Sequence, residues 1–352
     1  QPYKIQTDDG RDTIVYGKIP VDRLAEGTVQ YFLEDGTPLK EGKYRTTDLS
    51  KSEQGFYVTA NGLKSDVFKV SIREPFAEDA YETITYPVVF HLIQDKTKVE
   101  LGQGVGADIV NYAFNTIYNC FARTAAFSPN GADTKIRFRL AEYDPNGRKM
   151  EEKGINRYSL STSDLNNLNP EKIKNNPKIC WDYKRYLNIW IVENMGNSVS
   201  TPHYILNTAD LNQIQGVSFE QLSLEEIEKQ EYSLTDIGLI YGARDFAIED
   251  VGYPTQMGKF FGLLDTENQK EDYCEDTFAY NTYKEPWNTA LEGSNSRLKI
   301  STDGLIFYSV NIMDASSYKN TISMDQVKRI RTITDNCPHR WAWKSDWAFT
   351  GK

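Results

Sequence analysis

At 352 residues the chain is longer than one hydrophobic core ordinarily fills, so two units are expected. Apolar residues at 39% and aromatics at 12% exclude an intrinsically disordered chain. A net charge of -10, a pI near 5.0 and the lack of any basic run exclude nucleic acid as a partner, and no apolar run reaches the ~18 residues of a membrane helix.

From the N-terminus, residues 13–15, 28–33, 56–59 and 67–72 form short runs alternating apolar and polar positions, with Asp35-Gly36 and Asn61-Gly62 as turn signals between them. The pattern predicts a small all-β immunoglobulin-like sandwich over residues 1–80. It carries no His and no charged cluster, so it reads as a spacer or docking module. From residue 81 strand-like runs alternate with helical periods, which predicts a second, α+β domain over residues 81–352. Residues 86–93 are nearly all apolar and suit a strand covered on both faces. Residues 108–121 then set Ile109, Ala113, Ile117 and Cys120 at helical spacing. Further strands are predicted at 136–140, 186–192 and 237–241, while the polar stretches 164–178 and 222–232 read as surface insertions. Gly102-Gln103-Gly104-Val105-Gly106 lacks the Gly-Lys-Ser/Thr ending of a phosphate loop and reads as a flexible approach to the first helix.

Residues 253–266 predict a helix with Met257, Phe260, Phe261 and Leu264 on an apolar face and Gly262 where the chain could turn. Beyond it come Val310-Asn311-Ile312-Met313-Asp314 and a helix opened by Ser323 as N-cap. Six segments in order carry a resemblance: Pro87-Val88-Val89-Phe90-His91, the strand and turn at 137–147, Gly154-Ile155-Asn156-Arg157, Tyr186-Leu187-Asn188-Ile189-Trp190, Tyr273-Cys274-Glu275-Asp276-Thr277 and Asn311-Ile312-Met313-Asp314. Over roughly residues 84–335 the chain resembles the pappalysin-like branch of the metzincin zinc peptidases, in which a His-Glu-x-x-His helix, a Gly turn, a third His and a Met-turn build the site.

The resemblance implies a metzincin-like domain with a mixed twisted sheet and long helices, zinc as the family's cofactor and zinc-dependent peptide-bond hydrolysis as its activity. Set on the family pattern, Thr255, Lys259 and Asp265 take the three His positions, Gln256 takes the catalytic Glu and Met313 the Met-turn. Catalytic zinc needs three protein ligands and an open position for water, and an amide cannot accept a proton at neutral pH. An ammonium at the Lys259 position would repel a divalent ion by roughly 8 kcal/mol at about 4 Å in an effective dielectric of about 20. No catalytic residue, metal ligand or cofactor is therefore assigned, and Lys259 and Asp265 are expected to form an ion pair in the metal's place.

The expected function is that of a zinc-less pseudo-peptidase binding a peptide, protein or glycan through the former substrate cleft. A metalloendopeptidase with a remodelled site and a non-catalytic surface adhesin or scaffold component are the alternatives. The chain opens on Gln1 without an initiator Met, so removal of an N-terminal segment is expected. With the resemblance to Bacteroidetes-type envelope lipoproteins, this implies export to the periplasm, outer-membrane surface or exterior, with a lipid anchor at a removed N-terminal Cys.

The chain's three His residues, His91, His203 and His339, lie in unrelated segments; His91 is expected as a hydrogen-bonded core residue and the other two as loop or terminal residues. Asp265, Glu267, Glu271, Asp272, Glu275 and Asp276 supply carboxylates of the kind that hold Ca²⁺, but their spacing matches no EF-hand, and a solvated acidic loop is the reading adopted. Cys120, Cys180, Cys274 and Cys337 contain no CxxC pair and allow three complete pairings. The resemblance adds that Cys274 falls where the family often has a disulfide-bonded cysteine. Trp341, Trp343 and Trp347 suit a binding surface, with packing on their own domain the preferred reading.

Overall fold

Alternation of apolar and polar residues shapes the first of two units, Gln1–Ala77, which precedes Glu78–Lys352. The computed structural model describes residues 2–6, 12–16, 29–46, 48–60, 62–74, 77–98, 104–124, 131–248, 252–267, 271–280, 298–301, 306–314 and 319–352. In the first unit, β1 (Pro2–Gln6) and β2 (Asp12–Tyr16) pair antiparallel. A second antiparallel sheet sets β3 (Val29–Leu33) on one edge of β4 (Glu53–Ala60), and β5 (Leu63–Lys64) and β6 (Phe68–Ser71) on the other. The Asp35-Gly36 turn forms as predicted: Asp35 Oδ1 accepts from the Thr37 N–H at 2.9 Å, and Gly36 takes φ +90. Asn61 lies outside the described residues.

The second unit is built on a long strand, β7 (Ile84–Asp95), whose apolar run is buried on both faces. β8 (Ile136–Leu140) pairs with its first half and β9 (Ile155–Leu160) with its second, while β10 (Leu187–Val192) takes its other edge and β13 (Gly238–Gly242) extends the sheet beyond β10. All four pairings are parallel, which corrects the expected mixed sheet to a parallel one among the described residues; the antiparallel contact along it is an isolated bridge between Ser198 and Ile240 at the β13 edge. Period-2 alternation sends Tyr86 and Phe90 to one face, where they meet Phe261 and Phe246, and Val89, His91 and Ile93 to the other, against Trp181 and Trp190. The first helix, α1 (Ala107–Phe121), buries Val110, Ala113, Ile117, Cys120 and Phe121. Of the glycine-rich approach before it, Gly102 and Gln103 lie outside the described residues.

One sequence expectation gains detail along the chain and one is corrected. The stretches read as surface insertions contain short helices: α2 (Thr162–Asn166) capped by Ser161, α3 (Pro170–Lys174) capped by Asn169, and α4 (Leu224–Lys229) opened by a Ser223–Glu226 capping box after β12 (Glu220–Leu222), which pairs with β11 (Tyr204–Leu206). The helix expected over 253–266 is confined to α6 (Tyr253–Phe260), which follows α5 (Ala243–Ala247). Its end is a Schellman motif: Gly262 at φ +86 donates to Lys259 O at 2.9 Å, and Leu263 donates to Gly258 O at 2.9 Å. The turn buries Leu263 and leaves Leu264 half-buried, reversing the predicted apolar position.

Beyond β14 (Leu298–Ile300) and β15 (Ile306–Tyr308), an antiparallel pair, α7 (Met324–Asn336) opens with the predicted Ser323 cap, reinforced by Gln326. A 3-10 helix, Pro338–Lys344, and α8 (Trp347–Thr350) end the chain. Trp347 packs beside Tyr186, Trp181 and Ala348 and donates from Nε1 to Asp144 O at 3.2 Å, so this part of the tail packs on its own unit.

Candidate functional site

The N-terminal turn of α6 begins at Gly252, whose φ of +62 lets the chain enter the helix sharply. Met257 and Phe260 bury one side of the helix, and Gly258 lets the turn at Ile312 and Met313 approach another: a Cβ there would sit 3.0 Å from Met313 Sδ and 3.1 Å from Ile312 Cδ1. The turn is stitched by Asn311, whose Oδ1 accepts from the Met313 N–H at 2.9 Å while its amide donates to Gln326 Oε1 at 2.8 Å, linking it to the capping box of α7.

Thr255, Lys259 and Asp265 lie along this one element and the turn after it. Lys259 Nζ lies 2.9 Å from Asp265 Oδ1 and 3.0 Å from Oδ2, so the expected ion pair is present, with both carboxylate oxygens engaged. The two side chains are 30% and 25% exposed, which keeps the pair in reach of solvent. Thr255 is buried; its hydroxyl donates to Ile312 O at 2.6 Å and accepts from Lys319 Nζ at 3.0 Å. Gln256 is half-buried on the same turn.

Sequence reasoning missed three residues of this cluster: Lys319, Asp314 and Thr266. Thr266 Oγ1 donates to the Asp314 carboxylate and lies 3.3 Å from Met313 O. Burial raises the Asp314 pKa above the usual carboxylate value, while burial lowers the Lys319 pKa against the attraction of Asp314. Asp314 was visible as part of the Met-turn segment, but nothing local in the sequence distinguishes Lys319 from other lysines.

This donor set does not fit zinc. A tetrahedral catalytic ion needs three ligand atoms with free lone pairs. The ammonium of Lys259 has none, the Asp265 oxygens are committed to it, and the Thr255 hydroxyl is held on both sides. Among the described residues no group of three or more His, Cys, Asp or Glu side chains converges elsewhere. Of the acidic stretch, Asp272 accepts from the Cys274 N–H and the Thr277 hydroxyl, and Asp276 accepts from the Ser323 hydroxyl and the Asp325 N–H, so both carboxylates act as local caps.

His91 is the buried, hydrogen-bonded residue expected, with Nε2 2.9 Å from Asn188 Oδ1 and Nδ1 2.9 Å from Asn156 Nδ2. Burial lowers its pKa to about 4. His203 is half-exposed beside Asp236, 3.1 Å away. His339 corrects the expectation of a loop or terminal residue: it lies buried among Tyr183, Tyr204 and Tyr232, and burial followed by the neighbouring Arg340 lowers its pKa to about 4. The four cysteines are free thiols, so no disulfide joins Cys274 to a partner.

A scan against protein-family models finds no match, and a search of curated proteins finds none either. Among solved structures, mirolysin in complex with compound 9 superposes with a TM-score of 0.50 at 18% identity, covering 76% of this chain and 98% of that one. The chain has a metallopeptidase-type fold similar to that of mirolysin. Mature mirolysin from Tannerella forsythia in complex with a cleaved peptide gives a TM-score of 0.49 at 18% identity, covering 76% of this chain and 97% of that one. No helix among the described residues is long and apolar enough to cross a membrane.

Proposed function

We propose that the second unit is a zinc-less member of the pappalysin-like metzincins, in which the ancestral peptidase site has become a binding site for a peptide, protein or glycan. The observation that carries this reading is the two-oxygen engagement of Asp265 by Lys259, which fills two of the three aligned ligand positions with a mutually neutralising pair. Gln256 adds to it: an amide at the position of the general base cannot take a proton from an attacking water. The partly exposed ion pair and the neighbouring Gln256 offer a ligand one cation, one anion and an amide on α6 and the turn after it.

Metal analysis of the purified protein, together with a peptide-cleavage assay with and without chelator, tests the reading. Substoichiometric zinc and no chelator-sensitive turnover are expected; stoichiometric zinc with chelator-sensitive cleavage would overturn it. Peptide and glycan arrays probed with the protein and with Lys259→Ala and Gln256→Ala variants then separate cleft binding from binding elsewhere. We further propose that the first unit is an immunoglobulin-like spacer and that the protein is exported and lipid-anchored in the cell envelope. Fractionation of cells with fatty-acid labelling tests this, and recovery of unlabelled protein from the cytoplasm would refute it.

A further inference from the structure

Thr255 receives a charged polar contact from outside α6, from Lys319, five residues beyond Asp314. Its ammonium donates to Thr255 Oγ1 at 3.0 Å, and the same hydroxyl donates its own hydrogen bond to Ile312 O at 2.6 Å. The head group lies over Gly252, where a Cβ would stand 3.4 Å from Nζ and 3.5 Å from Cδ, so the glycine with φ +62 both turns the chain and makes room for the lysine. Behind it, Cys120 Sγ of α1 lies 3.5 Å from the Lys319 carbonyl oxygen. The charges that act on the ammonium are those of the relict site: Asp314, Asp265 and Glu267 attract it and Lys259 repels it. The ammonium thus sits on the hydroxyl at one of the aligned ligand positions, with the carboxylates attracting it from farther off, and here the positive charge arrives on the end of a side chain.

We propose that Lys319 is the resident cation of this site, taking the electrostatic place of the metal and barring a divalent ion even if the three histidines were restored. The inference rests on reading α6 as a former ligand helix, and it goes beyond the substitutions on that helix. An alignment of the ligand positions names Thr255, Lys259 and Asp265 as the obstacles to zinc, whereas the geometry adds a fourth from a separate segment.

The test restores the ligands by Thr255→His, Lys259→His and Asp265→His, with and without Lys319→Met, and measures zinc affinity by competition with a chelating dye. Repulsion between an ammonium and a dication a few Å apart predicts zinc binding at least ~100-fold weaker when Lys319 is kept. Affinities equal within about threefold would overturn the proposal. Circular dichroism checks folding of both chains. Should the restored chain not fold, thermal melts in the native background with chelator present decide: Lys319→Met is expected to lower Tm by about 3 °C and Lys319→Arg by less. An unchanged Tm for Lys319→Met would overturn the proposal. Stoichiometric zinc in the unsubstituted chain would instead defeat the zinc-less reading of the protein, and so the two failures are distinguishable.

Discussion

Gly262→Ala isolates the turn that brings Asp265 back towards Lys259. Two costs arise at this position. The left-handed φ of +86 strains any residue with a Cβ by about 1–2 kcal/mol. The added methyl would also stand 2.9 Å from Ile333 Cγ1 on α7, inside the range where a neighbour must shift, and such overpacking costs about 1–3 kcal/mol. The smaller entropy of the unfolded alanine chain returns about 0.4–1 kcal/mol. The net loss is about 1–5 kcal/mol, centred near 3, which for a unit as long as Glu78–Lys352 lowers Tm by roughly 2–8 °C. Differential scanning calorimetry of the full chain reads this directly, with chemical denaturation as a second measure. Because Arg329 Nε donates to Gly262 O at 2.6 Å, a turn pushed off Ile333 also strains that bond, so relief by local rearrangement is limited. A Tm within about 1 °C of the unsubstituted protein would refute the Schellman geometry, and with it the placement of Asp265 on Lys259.

Three further outcomes are expected. A double-mutant cycle on Lys259→Met and Asp265→Asn should give a coupling of about 0.5–1 kcal/mol in urea unfolding, because the pair is partly exposed and solvent-screened; a coupling near zero would remove the pair as an organising contact. His91, held at about 4 against an unfolded value of 6.5, contributes stability that is fully present above pH 6.5 and lost as pH falls towards 4, an effect on the order of 3 kcal/mol. His91→Gln should reduce the slope over that window, the remainder coming from His339, and an unchanged slope would argue against a buried neutral imidazole at His91. Finally, Cys120, Cys274 and Cys337 are buried and Cys180 is half-buried, so a thiol reagent should label at most Cys180 in the native protein and all four cysteines after denaturation without reductant; fewer than four would reveal a disulfide.

The sequence announced elements wherever local pattern and tertiary burial agreed. The β7 run, the spacing of α1 and the Ser323 cap of α7 each carry their own signal, and each forms within a few residues of its predicted bounds. Composition misled where it outweighed capping chemistry: Ser223-x-x-Glu226 and Asn169-Pro170 are helix-start signatures inside stretches judged by their polarity alone. The apolar spacing predicts too long an α6 because Phe261 and Leu264 continue it, although Gly262 marks the end of the helix. At the site, the charges of Lys259 and Asp265 could be paired from the family geometry. Lys319 reaches Thr255 from 64 positions away and has no local mark. His339 was misjudged for a similar reason, since the rings that bury it come from three other segments.

A bound metal would hold its ligands through one centre, whereas here the same region is joined by separate contacts. Thr255 bonds to Ile312, Lys259 to Asp265, and Thr266 to Asp314. Neutral hydrogen bonds contribute about 1 kcal/mol each and those to charged groups about 1.5–3, so together they supply a few kcal/mol, below the ~10–16 kcal/mol of a structural zinc site. Packing must therefore do most of the holding. Tyr253, Met257, Phe260, Phe261 and Leu263 are each no more than 1% exposed, and burying side chains of this size contributes about 1.5–3 kcal/mol apiece. A helix fixed to the sheet in this way stays in place whichever polar groups occupy its other side, so substitutions at Lys259 and Asp265 are expected to leave the surrounding fold intact.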